Sequence, residues 1–114
     1  MQDETRTTLS LLLSHLELAL EAERKNKLFE ELANRDPLTG IYNRRFFDER
    51  IKQEIDRLHR SDNGTLAVMF MDMDNFKELN DTHGHVVGDR VLEEIAAKIY
   101  ESLRSYDVLA RYGG

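Results

Sequence analysis

The stretch Val68-Met69-Phe70-Met71-Asp72-Met73-Asp74-Asn75-Phe76-Lys77 decides how this chain is read. An apolar run of the kind that fills a buried strand ends in two carboxylates, and a lysine follows three residues after the second. Alternation along a strand turns Asp72 and Asp74 to the same face of its C-terminal end. Two carboxylates held there repel one another unless a cation sits between them. One reading is a strand followed by a polar turn. The other is a divalent metal site with a lysine placed for phosphate.

Residues 65–71 are predicted to form a central strand covered on both faces. Downstream, a helical turn is predicted over 76–80, interrupted by Thr82-His83-Gly84-His85 and Gly88. A helix from about Asp89 to Leu103 follows, with Val91, Leu92, Ile95, Ala96, Ile99 and Leu103 inward. Residues 107–112 read as a second strand. Upstream, Ser61-Asp62-Asn63-Gly64 is a loop, and Asn43 is placed to cap a helix running to about His59. Phe47, Ile51, Ile55 and Leu58 mark that helix's buried face. Asp36-Pro37-Leu38-Thr39-Gly40 is a turn, and Pro37 ends the element before it. Two strands alone make a marginal sheet, so further strands are expected after Gly114.

Residues 9–34 contain no Gly or Pro and read as one helix. Leu9, Leu13, Leu16 and Leu20 recur at helical spacing. An amphipathic helix packed on its own domain is one explanation. The surplus of leucine (Leu11, Leu12 and Leu18 widen the stripe) fits a parallel dimeric coiled coil or signalling helix better. The expected division is therefore 1–34, a signalling helix, and 35–114, a domain.

The chain has 114 residues, room for one small domain, and a net charge of −6, which argues against a general nucleic-acid binder. It has no cysteine, which excludes disulfide and thiolate-zinc frameworks. No apolar run approaches the roughly 20 residues that span a bilayer, and the charged, polar start is not a signal peptide. The expected setting is cytoplasmic, or the cytoplasmic part of a larger protein.

Residues 72–89 read Asp-Met-Asp-Asn-Phe-Lys-Glu-Leu-Asn-Asp-Thr-His-Gly-His-Val-Val-Gly-Asp. With Asp36-Pro37-Leu38-Thr39-Gly40-Ile41-Tyr42-Asn43-Arg44-Arg45 before them and Arg111-Tyr112-Gly113-Gly114 after them, they resemble the GGDEF family of diguanylate cyclases. Three motifs in order carry the resemblance, over about residues 34–114. It implies an α/β (α+β) fold, ferredoxin-like or polymerase-palm-like, with an antiparallel-centred sheet. The implied reaction joins two GTP into cyclic di-GMP and two pyrophosphates, with Mg²⁺ or Mn²⁺ as cofactor. Two domains must then meet, which gives the leading helix a role as a homodimer element below an upstream sensor domain.

The resemblance also assigns residues. Asp72 would supply a metal carboxylate and Met73 a backbone carbonyl. Asp74 would be a weaker ligand or, alternatively, a cap for the turn after the strand. Lys77 would contact phosphate, helped by the N–H groups of Asn75 and Phe76 at a helix start. Asn80 and Asp89 match the pair that reads guanine, while a turn residue and a helix N-cap are their plainer readings. His85 lies near the base. A zinc site at His83 and His85 lacks a third ligand nearby in sequence. Arg104 and Asp107 match the family's product-inhibition site, against a plainer role at a helix end and strand start. Arg35, Asp36, Asn43, Arg44 and Arg45 would fix how the helix enters the domain; Arg44 and Arg45 would alternatively lie near phosphate. The next metal carboxylate would come just after Gly114, so a sequence cut within the signature loop, with little cyclase activity of its own, is expected. The rivals are a degenerate domain that binds GTP or cyclic di-GMP without catalysis, and a dimerisation or regulatory module.

Overall fold

The computed structural model describes residues 1–113, so Gly114, the last residue of the signature pair, lies outside the described residues. The chain divides into two compact units, Met1–Ala33 and Asn34–Gly114. The first consists of α1, the helix Gln2–Asn34, which begins well before the leucine pattern does. Asp3 and Glu4 favour its first turn through the helix dipole. The hydroxyls of Thr5, Thr7 and Thr8 donate to the carbonyls of Met1, Asp3 and Glu4, so these polar residues are satisfied within the helix. No residue of α1 is buried, and its leucines stand exposed along its length.

In the second unit the Asp36–Gly40 turn closes on its own carboxylate. Asp36 Oδ2 accepts from the Thr39 N–H at 2.9 Å and from Thr39 Oγ1 at 2.7 Å. The Asp36 N–H donates to the Ile41 carbonyl at 2.7 Å. A two-residue strand, β1 (Tyr42–Asn43), follows; it is too short to leave an alternating pattern in the sequence. Helix α2 (Arg44–Arg60) then starts on the expected cap, with Asn43 Oδ1 accepting from the Phe46 N–H at 3.0 Å. Spacing of four residues pairs Arg44 with Asp48, Arg45 with Glu49 and Arg50 with Glu54 along it.

The sheet is β1 paired with β2 (Ala110–Arg111), Tyr42 opposite Ala110 and Asn43 opposite Arg111. The pairing is parallel, not the antiparallel centre expected. The strands are far apart in sequence and joined through helices, the kind of connection parallel strands require. Residues 65–71 form no strand: their backbone finds no hydrogen-bond partner among the described residues. A strand needs a neighbour to complete its ladder, and β1 and β2 bond to each other. The segment is consequently exposed rather than doubly covered, with Met69 at 77% and Phe70 at 66%. The second strand is shorter than 107–112 because a turn at Arg104–Asp107 occupies its approach, with the Asp107 N–H donating to the Arg104 carbonyl.

The two-part helix is present with different bounds: α3 is Phe76–His83 and α4 is His85–Ser102. Gly84 breaks them at φ +89°, and its N–H donates to the Asn80 carbonyl at 2.8 Å. α3 and α4 pack on each other, and Gly88 and Ala96 of α4 are buried. A second cluster joins α2 to the strand ends. The rings of Phe47, Phe70 and Tyr112 meet edge to face at centroid distances of 5.1–6.0 Å. Small sheet and helices together make an α+β domain, preceded in the chain by the long helix.

Candidate functional site

Asp72 and Asp74 are exposed, and neither makes a hydrogen bond or ion pair among the described residues. Asp74 therefore does not cap the turn after it. Carboxylate oxygens and the Met73 carbonyl are hard donors of the kind Mg²⁺ or Mn²⁺ takes, and no internal cation competes for them, so the donor set fits such an ion. No third acidic or imidazole group joins them among the described residues.

Next to this pair the backbone turns sharply. Asn75 takes the left-handed conformation, φ 61° and ψ 26°, unusual for a residue with a Cβ. It precedes α3 without a side-chain cap. The first N–H groups of α3 have no partner within the helix, as at any helix start. Lys77 stands exposed in this first turn, with no ion pair among the described residues. Acid pair, left-handed turn, free N–H groups and ammonium thus follow one another within a few residues.

The other end of α3 carries Asn80. Its Oδ1 is sealed from solvent and has no hydrogen-bond donor. The amide lies over the backbone of Gly88 in α4, the residue before Asp89. The fold thus brings Asn80 beside the chain position next to Asp89. Asp89 is not an N-cap, since α4 begins at His85 and Asp89 lies inside it, exposed. His85 opens α4 one helical turn before Asp89, on the same side of the helix. Sequence reasoning took Gly88 only as an interruption; its closeness to Asn80 depends on how α3 and α4 pack.

Arg104 and Asp107 make their own small structure. Asp107 Oδ2 accepts from the Arg104 N–H at 3.0 Å, and Arg104 Nη1 donates to the Tyr106 hydroxyl at 2.7 Å. Both residues are exposed. Tyr106 holds the guanidinium, a partner that sequence spacing did not single out.

A further pair links the entry turn to the signature motif. Arg111 Nη1 lies 3.3 Å from Asp36 Oδ2. Partial burial works against the charged Asp36 carboxyl. The Thr39 hydroxyl and N–H and the Arg111 charge outweigh it, and its pKa lies below the usual carboxylate value. Arg35 stacks over the Tyr42 ring at 3.9 Å, and Arg44 over Tyr112 at 4.3 Å. The entry motif is thus bonded to the strand end before Gly113.

The chain is similar to known proteins. Residues 33–114 match the family model for the diguanylate cyclase GGDEF domain. Diguanylate cyclase DgcP of Pseudomonas aeruginosa is 48% identical over 69% of this chain, a match to 12% of its own length. The GGDEF domain of TpbB (YfiN) from the same organism is 44% identical, with a TM-score of 0.65 over 70% of this chain and 46% of the solved one. The coiled coil and GGDEF domain of DgcB from Caulobacter crescentus, solved with c-di-GMP, is 27% identical, with a TM-score of 0.73 over 93% of this chain and 56% of that one. The chain spans about half of these solved chains and a small fraction of the curated relative. A family match over most of the chain, with sequence identity and a shared fold, makes this chain a member of the diguanylate cyclase GGDEF-domain family.

Proposed function

We propose that this chain is the nucleotide-binding portion of a diguanylate cyclase, which condenses two GTP into cyclic di-GMP and two pyrophosphates. The observation that carries the reading is the unpaired Asp72 and Asp74 beside a left-handed turn, with Lys77 in the first turn of the helix whose far end holds Asn80. In that assignment Asp72, the Met73 carbonyl and Asp74 hold a Mg²⁺ or Mn²⁺ ion. Such an ion, held by these residues, would supply charge to neutralise the triphosphate and would lower the pKa of the attacking 3′-hydroxyl. The N–H groups of Asn75 and Phe76 and the Lys77 ammonium hold phosphate oxygens, and Lys77 stabilises charge that accumulates on the departing pyrophosphate. Asn80 and Asp89 read the guanine edge, with His85 alongside. Each 3′-oxygen bonds to the α-phosphorus of the other nucleotide while the bond to the pyrophosphate oxygen breaks, and the hydroxyl proton passes to water.

Each domain would hold one GTP, so two copies must meet. The signalling helix 1–34, with its exposed leucines, is the element proposed to pair them ahead of the domain 35–114. The relative from Caulobacter, with its coiled coil, supports this assignment. A sensor domain upstream and a cytoplasmic setting belong to the same proposal; among the described residues no helix is long and apolar enough to cross a membrane. Product inhibition is assigned to Arg104 and Asp107: the turn uses one Asp107 oxygen and one nitrogen of the Arg104 guanidinium, leaving the other carboxylate oxygen and guanidinium nitrogens for a ligand.

The test is calorimetry with GTP and Mg²⁺. The 114 residues should bind GTP at least about tenfold more tightly than ATP, and Asp72→Ala and Lys77→Ala should each weaken binding by about tenfold or more. Equal affinity for GTP and ATP, or GTP binding unchanged by Asp72→Ala and Lys77→Ala, would defeat this reading.

A further inference from the structure

We infer that Gly88 is a positioning residue for guanine selection, acting through Asn80; the inference rests on the assignment of Asn80 to the base. Gly88 lies inside α4 and is buried. A helix interior disfavours glycine, and alanine is the better helix former there. Nothing in the backbone calls for glycine at this position, because the positive-φ residues are Gly40, Asn75 and Gly84. What excludes a Cβ is the Asn80 side chain. A Cβ on Gly88 would stand inside the envelope of Asn80 Oδ1 and 2.9 Å from its Cγ, with Nδ2 at 3.5 Å. Displacing the terminal oxygen alone would not suffice, since Cγ is also too close. The amide must leave by rotation of the whole side chain.

The Asn80 amide therefore rests on a floor that only glycine provides. The contact holds it in one rotamer, with Oδ1 sealed against Gly88 and Nδ2 left to donate to the base. Preorganisation of this kind lowers the cost of ordering on binding. With a methyl group at residue 88, Asn80 swings away, α3 and α4 keep their backbone, and base discrimination is lost. This separates Gly88 from Gly84, where φ +89° itself needs glycine.

The test compares GTP with ATP, which replaces the O6 acceptor of guanine by an amino donor, by calorimetry on wild type, Gly88→Ala, Asn80→Ala and the double variant. Wild type is expected to prefer GTP by about tenfold or more, the scale of a hydrogen bond to a buried partner. Gly88→Ala is expected to bring the ratio near one while keeping or raising Tm, and to add nothing on the Asn80→Ala background. A glycine kept for helix packing alone would give the opposite: stability changed and the ratio untouched. If Gly88→Ala preserves the ratio, the inference is wrong and the assignment of Asn80 survives. If wild type binds GTP and ATP alike, that assignment fails and takes the inference with it. Should Gly88→Ala not fold, folding of the double variant supports the steric cause, and failure of both overturns it.

Discussion

A carboxylate earns a lowered pKa only by finding donors, and Asp36 finds three groups at once. Thr39 supplies an N–H and a hydroxyl, and Arg111 supplies charge from a residue far along the chain. Its folded pKa is below that of the unfolded chain, so it binds protons less readily when folded. The linked stability is fully present above the unfolded pKa and is lost as pH falls through the folded one. Asp36→Ala should cost roughly 1–3 kcal/mol at neutral pH, the range for hydrogen bonds to a charged group. In urea melts at falling pH, the gap between wild type and variant should narrow through the acid range. A gap that stays constant with pH would show that Arg111 and Thr39 do not favour the charged form. The turn residues were legible in Asp36-Pro37-Leu38-Thr39-Gly40, but Arg111 as their partner was not: no local pattern encodes a contact between residues 36 and 111.

Among the elements, those with local signals were read from sequence and those that depend on partners were not. α2 starts at its Asn43 cap and ends at Arg60, close to expectation, because capping and amphipathic spacing are local. Asn43→Ala should therefore destabilise the domain by about 1 kcal/mol, measured as a shift in urea midpoint with unchanged slope. The α3–α4 junction was displaced because Gly88 looked like a breaker, whereas Gly84, with its positive φ, does the breaking. The expected strand 65–71 differs in kind. Apolar content made it look central, but a strand exists only with a hydrogen-bonding neighbour, and the described chain provides none there. Phe70 keeps one trace of the expected core through its ring contacts with Phe47 and Tyr112. The candidate site divides in the same way. Asp72 to Lys77 were legible as one stretch, while the seat of Asn80 on Gly88 emerges only when two helices pack.

For the molecule as a whole, exposed apolar surface is the dominant physical fact. α1 presents Leu9, Leu13 and Leu16 at 55%, 59% and 58% exposure, and Leu20 at 48%. Leucine held in water forgoes about 1.5–3 kcal/mol per side chain relative to burial. A second copy of the helix in parallel register would cover the same stripe on both chains, which a helix folding against polar surface would not. The proposed reaction also demands two domains, and pairing through α1 is the proposed way to supply them. Changing Leu9, Leu13 and Leu16 to glutamine should then weaken association by at least about 100-fold, since six side chains per dimer lose their burial. Sedimentation equilibrium over a range of concentrations reads this directly, and circular dichroism reports whether α1 remains helical in the variant. A dimer of unchanged affinity would remove α1 from the interface and return it to the alternative of a helix packed on its own domain. A helical, monomeric variant that still binds GTP would place pairing in α1 and nucleotide binding in the domain that follows it.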